Sequence, residues 1–364
     1  MEISSDTTKI GVNDLYISKE EYQKIQTEFC GLIQQLTPGL YSQSQELFKR
    51  ISTPNWALEW GLPRWLGEAY KLPESTIHDL TLANVFLLGF VRIIDDAVDD
   101  DFQPAGADVE WISTTNHQPS CATNNKRNQA ILLGTLLQNL WHKHHVRLLS
   151  QTAAKISSNQ SPENGLVPSY LEASTQSLSE WINATSNQER RPIRGFSAFT
   201  DADYLMMGHR FSLLKTCCVA TCLVAGRNTE IQPLTTAIDH ILTGVVMMDD
   251  IFDWPSDLQA GRYNVFIAFC SDLPQTPEFR NANELAILHA IYVNQKIDSF
   301  FDIILEQITA AQKAAMLAAS QKFCEYISCL RSDICTYKIA LITTTLAKMR
   351  EASERFLADS FTKP

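Results

Sequence analysis

Across residues 20–352 the apolar side chains return every three or four positions with almost no interruption, a spacing that suits one face of an α-helix. No run of alternating Val, Ile, Thr and Tyr is bounded by Asn-Gly or Asp-Gly, so hairpin signals are missing too. Only 14 Gly and 14 Pro punctuate the 364 residues, which leaves room for long unbroken elements. The expected fold class is all-α, a single-domain helical bundle with a central apolar cavity, running over 1–364.

The periodicity places helices at 20–36, 77–101 with Ser75 and Thr76 as N-cap candidates, 130–150, 169–184, 201–225, 234–253, 282–310 and 315–352. Residues 54–73 hold Trp56, Trp60 and Trp65 among Pro and Gly, and read as short helical turns against a core. Residues 1–17 are expected to be flexible, and 103–129, rich in Pro, Ser, Thr, Asn and Gly, to form a loop. A division into two domains near that loop is the alternative.

A net charge of -11 repels nucleic acid and anionic lipid, so nucleic-acid partners are excluded and any bound anion needs a local device such as metal ions. The start lacks a basic stretch followed by an apolar one, and the charge-free apolar runs 80–91 and 216–226 fall short of the ~20 residues of a membrane span. The expectation is a cytoplasmic protein with no transmembrane segment. Nine cysteines without a CxxC pair, clustered at Cys217, Cys218 and Cys222 and again at Cys324, Cys329 and Cys335, read as small buried hydrophobes. In His142-Lys143-His144-His145 adjacent side chains diverge, and the basic segment reads as solvent-facing, not as a zinc site.

Two acidic runs carry the chemistry. In Asp95-Asp96-Ala97-Val98-Asp99-Asp100-Asp101 five carboxylates close an apolar helix, with Asp95 and Asp99 one turn apart and Asp96 beside them. They repel one another at a helix C-terminus, where the macrodipole favours cations. A divalent cation is the economical compensation, because Mg²⁺ takes one or two carboxylates together with water and substrate phosphate. In the second run Asp249, Asp253 and Asp257 recur every four residues and form one stripe, which Pro255 is expected to kink or tighten near Asp257. Arg262 follows, with Tyr263 beside it, as groups for a diphosphate. One such run suits a solvated helix end equally well. Two runs, each ending a strongly apolar helix, point to a metal site at the mouth of what those helices enclose.

The pair resembles the acidic motifs of the class I isoprenoid (terpene) synthases. Asp95-Asp96-Ala97-Val98-Asp99 looks like the family's DDxxD motif, and Asp249, Asp253 and Asp257 fall where its second motif places three metal ligands. Asp253-x-x-x-Asp257 with Gly261-Arg262 is also similar to the second motif of squalene and phytoene synthases. The segment 200–210 resembles the stretch that ends in a diphosphate-sensing arginine, here Arg210. Gly208 stands in the likeliest arginine position. An Arg-Tyr pair near the C-terminus is not reproduced, since Ser332 follows Arg331 and Tyr337-Lys338 is the nearby alternative. The first motif is not followed by the paired arginines of chain-elongating synthases; Asp100-Asp101-Phe102-Gln103-Pro104 stands there instead.

The resemblance implies three Mg²⁺ ions, a prenyl diphosphate substrate and a homodimer. Asp95, Asp99 and Arg262 would be the catalytic groups, and Phe86, Phe90, Phe211 and Trp56 would line the cavity. Any one of these aromatics suits plain core packing as well. Gly89, Gly208 and Gly244 are candidates for substrate access, a helix break or packing. The leading expectation is a terpene cyclase acting on a linear C15 or C20 diphosphate. Head-to-head condensation of two prenyl diphosphates and a non-catalytic diphosphate-binding protein are the alternatives.

Overall fold

The structure, a computed structural model, describes residues 17–53, 56–98, 121–157, 165–187, 200–260, 263–271, 284–318 and 320–362. Among them the regular structure is entirely helical: thirteen α-helices and short 3-10 turns. The all-α expectation holds. The chain forms two compact units, one comprising 1–172 and 216–228, the other 173–215 and 229–364.

The first unit is built from α1 (Lys19–Leu36), α2 (Tyr41–Arg50), α3 (Ala57–Ala69), α4 (Glu74–Val98) and α5 (Cys121–Ser157). It also takes in the start of α6 (Leu166–Asn187) and most of α8 (Lys215–Ala225). Ser18 caps α1 by accepting the Glu21 N–H, and Thr37 ends the helix before Pro38. Aromatic rings from four helices meet in the core: Phe29 lies 5.3 Å from Phe48 and 5.1 Å from Phe86, and Phe48 meets Trp60 edge-on at 5.8 Å. The Trp60 indole donates to the Ile51 carbonyl at 2.7 Å, so a large ring is buried with its one donor satisfied. Gly89 packs among Leu137, Leu47 and Phe29.

The second unit holds the rest of α6, α7 (Asp201–Gly208), a 3-10 segment (His209–Leu214), α9 (Ile231–Ala260) and α10 (Val265–Ser271). It is completed by α11 (Glu284–Tyr292), α12 (Lys296–Ala315) and α13 (Gln321–Thr362). Here Phe300 on α12 packs 5.1 Å from Phe266 and 5.2 Å from Phe269 on α10. At Gly244 a Cβ would come within 2.8 Å of the Ile308 side chain, so glycine is what lets α9 and α12 approach.

Several local expectations are corrected. α4 starts at Glu74, which puts Ser75 and Thr76 inside its first turn and not at its cap. One helix with Pro63 inside replaces the expected short turns around the tryptophans. The 103–129 loop fails at its C-terminal end, since α5 already runs from Cys121; residues 103–120 lie outside the described residues. Of the flexible lead 1–17 only Ile17 is described, and it is buried. The expected helices 201–225 and 282–310 are each broken, the first by the 3-10 segment and the second at 293–295, where Gln295 takes φ 51°.

The histidine run is not solvent-facing. His144 and His145 are buried, His145 accepts or donates at 2.8 Å to the Tyr170 hydroxyl, and burial pushes its imidazole down to about 3. Cys217, Cys218 and Cys222 are buried as expected, whereas Cys329 is exposed and Cys324 and Cys335 are half-buried. The stretch 74–95 is long and apolar enough to cross a membrane by length and composition, but 83% of its apolar window is buried inside the protein, as a core helix requires.

Candidate active site

The second acidic run lies on α9, whose apolar body 238–248 ends in Asp249. The helix continues through Pro255 to Ala260, so the four-residue spacing of Asp249, Asp253 and Asp257 stays helical. Asp249 and Asp253 are exposed and Asp257 is half-buried. Asp250, between them in sequence, points the other way and is buried.

Around Asp250 the second unit builds a polar knot. Its Oδ2 accepts the Val265 N–H at 2.7 Å, and its carbonyl accepts the Asn264 amide at 2.8 Å. The same amide group donates to Asp257 Oδ2 at 3.0 Å, while Asn264 Oδ1 accepts the Ile267 N–H at 3.0 Å and caps α10. Burial pushes the Asp250 carboxyl up to about 7, eased by the Val265 N–H and the charge of Arg210 and reinforced by Asp257 and Asp249.

Arg210 sits on the 3-10 segment, half-buried, with its charge bearing on Asp250. Its charge therefore bears on the acidic end of α9. Two residues earlier, Gly208 lies against the α9 backbone: a Cβ there would come within 2.6 Å of the Asp239 carbonyl and 2.9 Å of the Thr243 nitrogen. Behind the segment Lys215 is buried between Glu180, at 2.6 Å, and Asp239, at 2.9 Å, with His209 3.8 Å from Asp239. Lys215 and His209 lower the Asp239 pKa, but burial outweighs them and its carboxyl stays above the ordinary value. Phe211, half-buried, departs from helical angles at φ −126°, ψ 18°.

The first run belongs to the other unit, and α4 ends at Val98. Asp95 is exposed, with Arg92 Nη1 at 3.8 Å from its Oδ2. Asp96 is on the helix but its side chain is outside the described residues, as are Asp99 and Arg262 altogether. Tyr263 is half-buried.

Of the expected cavity aromatics, Phe86 stacks on Phe29 and lies 5.5 Å from His144, and Phe90 stacks on Trp141 at 6.4 Å. These contacts are core packing within the first unit, the plain alternative that any one of these aromatics also suits. Trp56 is half-buried just ahead of α3. Near the C-terminus Arg331 is exposed, Tyr337 meets Phe252 edge-on at 5.3 Å, and Lys338 is held by Asp298 and Asp302.

Sequence reasoning missed Asp250, Asn264 and Lys215 as parts of the site. An Asn immediately before the apolar run 265–270 is a helix-start signal and could have marked Asn264.

Among the described residues no three His, Cys, Asp or Glu side chains are gathered closely enough to cage a metal. The donor set nonetheless fits Mg²⁺: exposed carboxylates one turn apart offer hard oxygens, and this ion completes its octahedron with water and phosphate.

No protein-family model matches the chain, and no curated protein matches it. Among solved structures it is similar to the geranylgeranyl pyrophosphate synthetase of the archaeon Geoglobus acetivorans, with a TM-score of 0.56 at 14% identity, covering 87% of this chain and 98% of that one. The chain thus has an all-helical fold of the isoprenoid-synthase kind.

Proposed function

We propose that the protein is a terpene cyclase of the class I type, converting a linear prenyl diphosphate, C15 or C20, into a hydrocarbon or alcohol with release of diphosphate. The observation that carries the reading is the uninterrupted α9 stripe of Asp249, Asp253 and Asp257, with the charge of Arg210 bearing on that end of the helix. The likeness to a prenyl diphosphate synthase supports the substrate class. The lack of paired arginines in Asp100-Asp101-Phe102-Gln103-Pro104 argues against elongation. The whole chain acts as one catalytic domain in this reading, since each unit carries one of the two motifs.

An allylic diphosphate ionises slowly in water because charge builds on the departing oxygen. Magnesium bound to the acidic stripes would supply the charge that stabilises it. Asp95, Asp96 and Asp99 of the first motif and Asp249, Asp253 and Asp257 of the second would hold the ions. Arg210, Arg262 and Tyr263 would hold the diphosphate, adding fixed positive charge where negative charge develops. Once the C–O bond has broken, the carbocation closes on a double bond of its own chain. It then loses a proton to leave C=C, or takes up water to leave an alcohol.

The test is to incubate purified protein and Mg²⁺ with the C10, C15, C20 and C25 diphosphates and analyse extracts by gas chromatography and mass spectrometry. A cyclic product from at least one is expected; no product from any overturns the reading. A second reading, head-to-head condensation, is favoured by Gly261-Arg262 following Asp253-x-x-x-Asp257. It requires a product with twice the substrate's carbon count, with or without NADPH.

A further inference from the structure

The reading above uses the α9 carboxylates and leaves the knot beneath them without a task. Asn264 is fully buried, and its amide makes three bonds: two donated, to the Asp250 carbonyl and to Asp257 Oδ2, and one accepted, from the Ile267 N–H. Only a primary amide offers two donors and an acceptor from one short planar group. The two donated bonds reach α9, and Val265 N–H to Asp250 Oδ2 adds a third bond between the same two elements. The last turns of α9 and the first turn of α10 are therefore stitched together on either side of residues 261–262.

We propose that Asn264 is a positioning residue for diphosphate and metal capture: its amide fixes the rotamer of Asp257 by occupying Oδ2, leaving Oδ1 to face outward. Asp257 is the half-buried member of the stripe, and the buried Asn264 amide tethers it. A carboxylate at the end of a helix just beyond a proline would otherwise rotate freely, and each rotamer frozen beforehand is ordering that binding no longer has to supply. The cap on Ile267 is a separate duty of the same side chain, carried by the other end of the amide. The two duties can be parted by substitution.

The inference rests on the Mg²⁺-diphosphate reading of the stripe, and the experiment separates the two. Full-length wild type, Asn264→Ser, Asn264→Asp, Asp257→Ala and the Asn264→Ser/Asp257→Ala double variant are titrated with Mg²⁺ at fixed inorganic pyrophosphate, following melting temperature and calorimetric heat. Ser and Asp both keep an oxygen to cap α10 but give no N–H to Asp257.

The Mg²⁺ midpoint is expected to rise about tenfold in Asn264→Ser and at least as much in Asn264→Asp, the scale seen when a ligand's supporting hydrogen bond is removed. In the Asp257→Ala background Asn264→Ser should add nothing, because the residue acts through Asp257. An unchanged midpoint in Asn264→Ser, or full additivity in the double variant, overturns the proposal while leaving the metal reading intact. Failure of both Asn264 variants to fold also overturns it, since the side chain then serves the fold alone. No response to Mg²⁺ and pyrophosphate in wild type overturns the metal reading and the proposal with it.

Discussion

Glu59 makes stability depend on pH in a direction opposite to most carboxylates. It lies in the first turn of α3, 9% exposed, and its backbone carbonyl accepts the Asn84 amide while its carboxyl accepts its own backbone N–H. Burial pushes the carboxyl up from 4.5 to about 7. The folded state therefore keeps a proton that the unfolded chain releases above 4.5. The stability this group contributes is whole at low pH, falls as pH rises between 4.5 and about 7, and levels off above. A gap of this size is worth roughly 3 kcal/mol at most, of which roughly 2–3 kcal/mol is lost between about pH 5 and pH 8.

Glu59→Gln keeps the shape and removes the proton. Urea denaturation of both proteins at those two pH values gives four midpoints, and every other titrating group, Asp250 included, cancels in the double difference. The variant is expected to lose about 2–3 kcal/mol less than wild type on going from pH 5 to pH 8. Equal losses in the two proteins would refute the assignment of a buried, protonated Glu59. Gln is chosen over Leu because its amide oxygen can still accept the Glu59 backbone N–H, which Leu would strand.

Gly208→Ala should lower stability by about 1–3 kcal/mol, because the new methyl meets the Asp239 carbonyl and the Thr243 backbone nitrogen, neither of which can swing aside. Differential scanning calorimetry checks this, and product yield should fall further than stability explains, since Arg210 is displaced with the segment. Lys215→Met strands the Glu180 and Asp239 carboxylates against each other and should cost about 3–5 kcal/mol. Adding Asp239→Asn to that variant should recover part of the loss, and no recovery would mean that Lys215 contributes by packing and not by charge.

The helical class and most helix positions are readable in this chain because an apolar stripe of period three or four is a property of neighbours in sequence. Breaks and polar tethers are not. The interruption after Gly208 depends on the backbone of α9, thirty residues further on, pressing against the glycine. The histidine run looks basic and exposed in one dimension, yet Trp141 stacks on His142 at 4.1 Å and Tyr170, from another helix, meets His145, so burial wins over polarity. Pro255 signals a kink, but α9 carries on to Ala260, and the Ser256 hydroxyl donates to the Asp253 carbonyl at 2.9 Å within that turn. Asp249, Asp253 and Asp257 are legible as a stripe because they recur at helical spacing. Asp250 is not, since only the Val265 N–H fifteen residues away gives its buried side chain a purpose.

A fold shared with a prenyl diphosphate synthase leaves the fate of the cation open, because one scaffold hosts several chemistries. Charge narrows it. Elongation brings a second diphosphate, carried by the nucleophile, close to the first, and that anion needs cations of its own beside the DDxxD segment. In this chain the segment from Asp95 to Asp101 holds five carboxylates, and Arg92 is already set against Asp95. No arginine pair follows in Asp100-Asp101-Phe102-Gln103-Pro104, so under the proposed reading a second diphosphate would meet carboxylates where it needs cations, and each like-charge encounter costs affinity. A single diphosphate bridged by metal asks for no such cations. In the proposed reading, the acidic excess that disfavours a second diphosphate is the same feature that favours a one-substrate, metal-assisted ionisation.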